Sequence, residues 1–174
     1  MLLKKHLFIR SIAHIPPLIG STRLPYIHLM KAILQQAGVI AYRHAGDDLQ
    51  VLLITSRGAG RWVIPKGGIE KGQTPAQAAA LEAYEEAGVR GILSTSPLGS
   101  FTYNKRPRRG AAIPAIVEVY AMRVDQQLKN WPERAERRLK WVSIPEALKL
   151  VEEDGMAVLL LKLQQIDEQA HAHA

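Results

Sequence analysis

The stretch from Pro65 to Gly88 restricts the fold more than any other part of this chain. Lys66-Gly67-Gly68-Ile69-Glu70-Lys71-Gly72 packs three glycines into one loop, and a helix follows immediately. Thr74 is a good N-cap, Pro75 suits the first helical position, and Gln77 stands where a capping-box partner belongs. Residues 76–87 are rich in helix formers, and Gly88 is placed to end the helix in a left-handed cap. Small residues at Ala76, Ala79, Ala80, Ala83 and Ala87 let such a helix lie close against a sheet. The glycine loop before it leaves backbone groups free to approach an anion or a metal.

Short apolar runs on either side supply the sheet. Val39 to Tyr42 and Val51 to Ile54 flank the turn-forming Ala45-Gly46-Asp47-Asp48, which predicts a hairpin. Further strands are expected at 61–64, 89–93, 99–103, 113–124 and 139–143. Two late helices are expected, from Pro145 to Val151 and from Met156 to Ile166, separated by Glu153-Asp154-Gly155. Strands and helices together in a chain of 174 residues suit one domain with a single core. Its expected extent is residues 30–168. Residues 1–29 read as a basic N-terminal arm or an over-extended start, since Lys4, Lys5, Arg10 and Arg23 stand there without any acid. Residues 169–174, Gln-Ala-His-Ala-His-Ala, read as a flexible tail.

Glu82, Glu85 and Glu86 carry the chemistry. Their i, i+3, i+4 spacing crowds three like charges within about 6 Å on a helix, which destabilises an isolated helix by a few tenths of a kcal/mol per pair. A solvated acidic face would account for them, and so would a hard divalent cation, because Mg²⁺ takes oxygen ligands. The adjoining glycine loop favours the cation. With zero cysteines the chain has no disulfide, no thiolate metal site and no cysteine nucleophile. No apolar run approaches the roughly 20 residues that span a bilayer. No membrane partner is expected, and the cytoplasm is the expected location.

In register, Gly67, Glu82, Ala83, Glu85, Glu86, Gly88 and Val89 resemble the Nudix box of the MutT-type pyrophosphohydrolases. That box runs Gly, five residues, Glu, seven residues, Arg-Glu, a hydrophobic residue, any residue, Glu-Glu, any residue, Gly and a hydrophobic residue. Ser56-Arg57, Arg61 to Pro65, Trp131-Pro132-Glu133, Arg137-Arg138 and Trp141 extend the likeness. Those flanks are similar to the diphosphoinositol polyphosphate and diadenosine polyphosphate hydrolase branch. The resemblance implies an α/β/α sandwich with a mixed sheet and Mg²⁺- or Mn²⁺-dependent hydrolysis of a pyrophosphate bond. It further implies that Glu82, Glu85 and Glu86 bind metal and activate water, with Glu82 and Glu86 preferred as ligands and Glu85 as base. The backbone carbonyl at Lys66 or Gly67 would complete the metal shell.

Two positions depart from the box: Gln73 replaces its first glutamate and Leu81 its arginine. Loss of the arginine that orients the neighbouring glutamate predicts slower turnover, on the scale of about 10- to 100-fold for a supporting contact. A catalytically weakened module that binds a phosphorylated ligand is the second expectation.

The formal charge of +7 favours an anionic partner. Arg57, Arg61, Lys66, Lys105, Arg106, Arg108 and Arg109 lie in or beside loops that the family fold would gather at the mouth of the site, which favours a phosphorylated small molecule carrying several phosphates. Trp62 and Trp141 read as core, and Trp131 as a loop residue able to stack on a base. Without interleaved aromatic and basic residues, no stable nucleic-acid complex is expected.

Overall fold

β1 (Leu34–Ala45) is the strand on which the sheet is built. In this computed structural model, which describes residues 33–105 and 110–172, β1 carries three partners. Its first half pairs antiparallel with β4 (Lys66–Gly68), and its second half pairs antiparallel with β2 (Asp48–Thr55) across the expected hairpin. Its other edge runs parallel to β7 (Ile113–Gln127). β3 (Trp62–Val63) and β8 (Leu139–Ser143) pair with β2, while β5 (Val89–Leu93) and β6 (Gly99–Lys105) pair with β7. The sheet is therefore mixed, and its central path runs β3-β2-β1-β7-β5. The expected arm at 1–29, the expected domain start at residue 30, Arg106, Arg108, Arg109 and His173 lie outside the described residues.

Strands covered on both faces read as unbroken apolar runs rather than alternating ones. Val39-Ile40-Ala41 and Val51-Leu52-Leu53-Ile54 are fully buried for that reason. Ala37, Val39, Ala41, Leu52, Ile54, Tyr120 and Met122 face α1 (Pro75–Ala87). Ile40, Val51, Leu53, Val117 and Val119 face α2 (Ile144–Leu150) and α3 (Asp154–Ala172). The α/β/α sandwich follows from this two-sided burial.

α1 has the ends its sequence predicts. Thr74 Oγ1 accepts from the Gln77 N–H, the Gln77 side chain accepts from the Thr74 N–H, and Gly88 caps the helix in the left-handed region at φ 64°. Three expectations change. Lys66 to Gly68 forms a short strand rather than open loop, because Gly38 lets it close in: a Cβ there would stand 2.8 Å from Lys66 Cβ. Asp154 and Gly155 belong to α3 instead of separating two elements, and a Cβ at Gly155 would meet Phe101 Cβ at 2.5 Å. α3 continues past Ile166 to Ala172, so residues 169–172 are helical and not a flexible tail.

At Gly88 two demands coincide, since a Cβ would also stand 2.5 Å from the Trp131 ring. Gly88→Ala is expected to lower the free energy of unfolding in urea by at least about 2 kcal/mol, from left-handed strain plus overpacking. Gly46→Ala, at a similar φ of 65° with nothing within 4 Å, should show the strain alone and a clearly smaller loss.

Candidate active site

Glu86 is the pivot of the site. Ala79, Ala83 and Glu86 stand i, i+4 and i+7 along α1, so this glutamate falls on the buried stripe and is only 6% exposed. The three glutamates therefore do not form one solvated acidic face, because one of them is on the buried side. Burial of a carboxylate requires a partner. Glu86 Oε2 accepts from the Lys66 backbone N–H at 2.9 Å, and Oε1 is paired with the Arg137 guanidinium. Arg137, itself 4% exposed, also donates to Glu133 Oε2 at 2.7 Å and to the Thr55 carbonyl oxygen at 3.0 Å. Burial raises the Glu86 carboxyl above its ordinary value, while Arg137 and the Lys66 N–H oppose the shift.

Glu82, one turn earlier, lies over β4. A Cβ at Gly67 would stand 1.6 Å from Glu82 Oε1, so the glycine is the cradle in which this carboxylate rests. Neither Glu82 nor Glu85 makes a side-chain hydrogen bond or ion pair with another described residue. Desolvation first, then the charges of Glu86, Glu85 and Glu133, push the Glu82 carboxyl up to about 7. The donor set is all oxygen, one member is short of a counter-charge, and the Gly67 backbone is within reach, so these residues fit a hard divalent cation.

The predicted basic groups are brought only partly to this point. Lys66 places its backbone on Glu86, but its side chain emerges on the other face of β4, 5.0 Å from the centre of the Tyr103 ring. Burial lowers the Lys66 ammonium below its ordinary value, with Glu86 and Glu153 opposing. Arg57 is paired with Glu133 at 3.3 Å and Glu136 at 3.5 Å, and Arg61 with Glu152 at 3.3 Å and Glu153 at 3.1 Å. The second oxygen of Glu153 is buried without a partner. Gln73 closes the glycine loop, its Oε1 accepting from the Glu70 N–H at 3.2 Å. Leu81 is 39% exposed, beside Tyr84 and Arg90.

Trp62 and Trp141 pack partly buried against the two sides of the core as expected. Trp131 is packed under Gly88 and remains half-buried. Arg137 and Glu133 were legible only as part of the flanking likeness. Their i, i+4 spacing carries no weight in a loop, and nothing local points Arg137 at a helix 51 residues away. Tyr103, whose hydroxyl donates to Gln36 Oε1 at 2.6 Å, had no such signal in the sequence.

The NUDIX domain family model matches residues 34–163, which takes in every described strand and the whole glutamate helix. The chain belongs to the Nudix family. Nudix hydrolase 16, mitochondrial, of Arabidopsis thaliana is 37% identical over 125 residues, covering 64% of this chain and 69% of that one. Diphosphoinositol polyphosphate phosphohydrolase 3-alpha of Homo sapiens is 32% identical over 120 residues, covering 68% and 69%. Among solved structures, a C. elegans Ap4A hydrolase binary complex superposes with a TM-score of 0.60 at 23% identity, covering 77% of this chain and 97% of that one. At that identity the likeness concerns the Nudix fold alone.

The Glu82 carboxyl gives this Nudix site a pH signature. Its folded value of about 7 stands above the usual 4.5, so between those values the folded state holds a proton that the unfolded chain has released. Stability from this group is fully present at low pH and is lost as pH rises through the window. In metal-free protein, Glu82→Gln is expected to raise the melting temperature at pH 8 and to change it little at pH 5, as differential scanning calorimetry would show. An equal effect at both pH values would contradict the assignment.

Proposed function

We propose that this Nudix pyrophosphohydrolase cleaves a pyrophosphate bond in a polyphosphate substrate, a dinucleoside polyphosphate or a diphosphoinositol polyphosphate, using Mg²⁺ or Mn²⁺. The observation that carries the reading is the pair of unpartnered carboxylates, Glu82 and Glu85, set beside a third that Arg137 holds in place. Glu82 and Glu86 are the proposed metal ligands with the Gly67 carbonyl, and Glu85 the proposed base. Glu86 would use the lone pairs left over from Arg137 and Lys66. A bound divalent cation would neutralise pyrophosphate oxygens and make a water more acidic. Glu85 accepts the proton of the attacking water, while the Arg137 clamp fixes the backbone and side chains on which that alignment depends. Lys66, Lys105, Arg57 and Arg61 are the proposed phosphate contacts, with Arg106 and Arg109 as expected members outside the described residues. A substrate with several phosphates is supported by this basic rim and by the likeness to the human relative named for diphosphoinositol polyphosphates.

The test is phosphate-product release from diadenosine tetraphosphate, a diphosphoinositol polyphosphate, ADP-ribose and triphosphate-ended RNA, each with Mg²⁺ or Mn²⁺. One of the first two should be cleaved best. Glu82→Gln and Glu85→Gln should each lower turnover by about 100-fold or more, as loss of a group acting directly in the chemistry does. Gly67→Ala should cost at least about 10-fold in rate while barely moving the melting temperature, because its Cβ displaces only the flexible end of Glu82. If wild type and Leu81→Arg are both inert while a polyphosphate raises the melting temperature, the chain is instead the weakened ligand-binding module.

A further inference from the structure

We propose a second metal site, distinct from the Nudix glutamates, formed by His44, Asp167 and His171 and selective for a borderline transition ion such as Zn²⁺. His44 stands one residue before the end of β1, whereas Asp167 and His171 stand one turn apart near the end of α3. One nitrogen of each ring and one Asp167 oxygen lie within 4.8 Å of one another. His44 Nε2 is 3.0 Å from Asp167 Oδ1 and 3.1 Å from Oδ2, and the two imidazole rings are 5.1 Å apart. Tyr42 walls the cluster, edge-on to His44 at 6.3 Å.

Hydrogen bonding already prepares the ligands. His171 Nδ1 lies 2.8 Å from the Asp167 carbonyl oxygen. A carbonyl oxygen only accepts, so Nδ1, 3.7 Å from Asp167 Oδ2, carries the proton in this arrangement, and the exposed ring would turn to offer a metal its Nε2 lone pair. A metal ion would occupy the place of the proton that now joins His44 to the Asp167 carboxylate. Zinc–nitrogen bonds of about 2.0–2.1 Å require the three side chains to draw somewhat closer. With 30% and 65% of the two histidine side chains exposed, they have room to do so, and water completes the shell. Two imidazoles and one carboxylate suit Zn²⁺, Ni²⁺ or Cu²⁺, whereas Mg²⁺ prefers oxygen alone.

The location separates this site from the reaction. Ala37, which pairs with Gly67 of the glutamate cradle, is seven residues from His44, or about 23 Å along extended strand. α3 also covers the sheet face opposite α1. A bound ion would therefore clip the end of α3 to β1 without entering the hydrolytic centre.

The test is calorimetric titration of the full chain with Zn²⁺ in excess Mg²⁺, with circular dichroism confirming that each variant is folded. Wild type and Glu82→Gln are both expected to take up one Zn²⁺ at this site. His44→Ala, Asp167→Asn and His171→Ala should each weaken it by at least the about 10-fold that loss of even an outer contact brings. Mg²⁺-dependent hydrolysis should be unchanged in all three. Zinc uptake that disappears in Glu82→Gln would assign the ion to the Nudix carboxylates and overturn the proposal. So would uptake that survives His44→Ala but not His171→Ala, which would mark a chelate confined to the C-terminal residues. Wild-type protein that takes up no Zn²⁺ would overturn it outright.

Discussion

The buried ion pair between Glu86 and Arg137 is the interaction on which the rest of the site depends. A carboxylate on the apolar stripe of α1 is tolerable only with a partner, and removal of one member of such a pair typically destabilises by about 3–5 kcal/mol. Arg137 answers Glu86, Glu133 and the Thr55 carbonyl at once, so one guanidinium joins α1, the loop before β8 and the end of β2. The Lys66 N–H adds β4 to the same knot. Because Glu86 is neutralised internally, the uncompensated negative charge of the helix is concentrated on Glu82 and Glu85. An arrangement that costs stability in the metal-free protein thereby becomes an attraction for a cation.

Close backbone approach is the second half of the same design. β1 divides its antiparallel edge between β4 and β2, and the Val39 N–H bonds the Pro65 carbonyl at 3.0 Å where the two diverge. Gly38 admits β4 on one side, and Gly67 admits Glu82 on the other. Ala79, Ala83 and Ala87 bring α1 down onto the sheet. Larger residues in place of these alanines would lift the helix away and carry the glutamates off β4.

Local chemistry made the central unit readable in advance. The caps of α1, the glycine that ends it, the hairpin and the apolar core strands all depend on neighbours within a few residues, and the structure agrees at each. What the sequence did not disclose is long-range. Glu86 looks like its two sister glutamates until Arg137 is seen to meet it, and Arg137 looks like one more basic loop residue. The basic residues expected around the mouth were similarly incomplete evidence, because charge alone does not say which acid will be folded against it. Arg57 and Arg61 each find two carboxylates from distant segments. The run of α3 to Ala172 was hidden for a different reason: its last turn has a polar, biased composition, and its contact with His44 on β1 is 127 residues away.

Those internal ion pairs bear on what the basic rim can select. A phosphate approaching Arg57 or Arg61 competes with two glutamates already in place, so part of its attraction is offset by the carboxylates it displaces or crowds. The Arg57–Glu136 pair is exposed on both sides and worth only about 0–1 kcal/mol, whereas Glu133 and Glu153 are mostly withdrawn from solvent and hold their arginines more firmly. Lys66 differs: its ammonium is largely withdrawn from solvent over Tyr103, and burial favours its neutral form. An anion beside it would restore the charge and be held in a setting where electrostatic attraction is less screened. If these groups hold the substrate as proposed, one with several phosphates would engage both kinds together, and that cooperation would favour polyphosphates over compounds carrying a single phosphate.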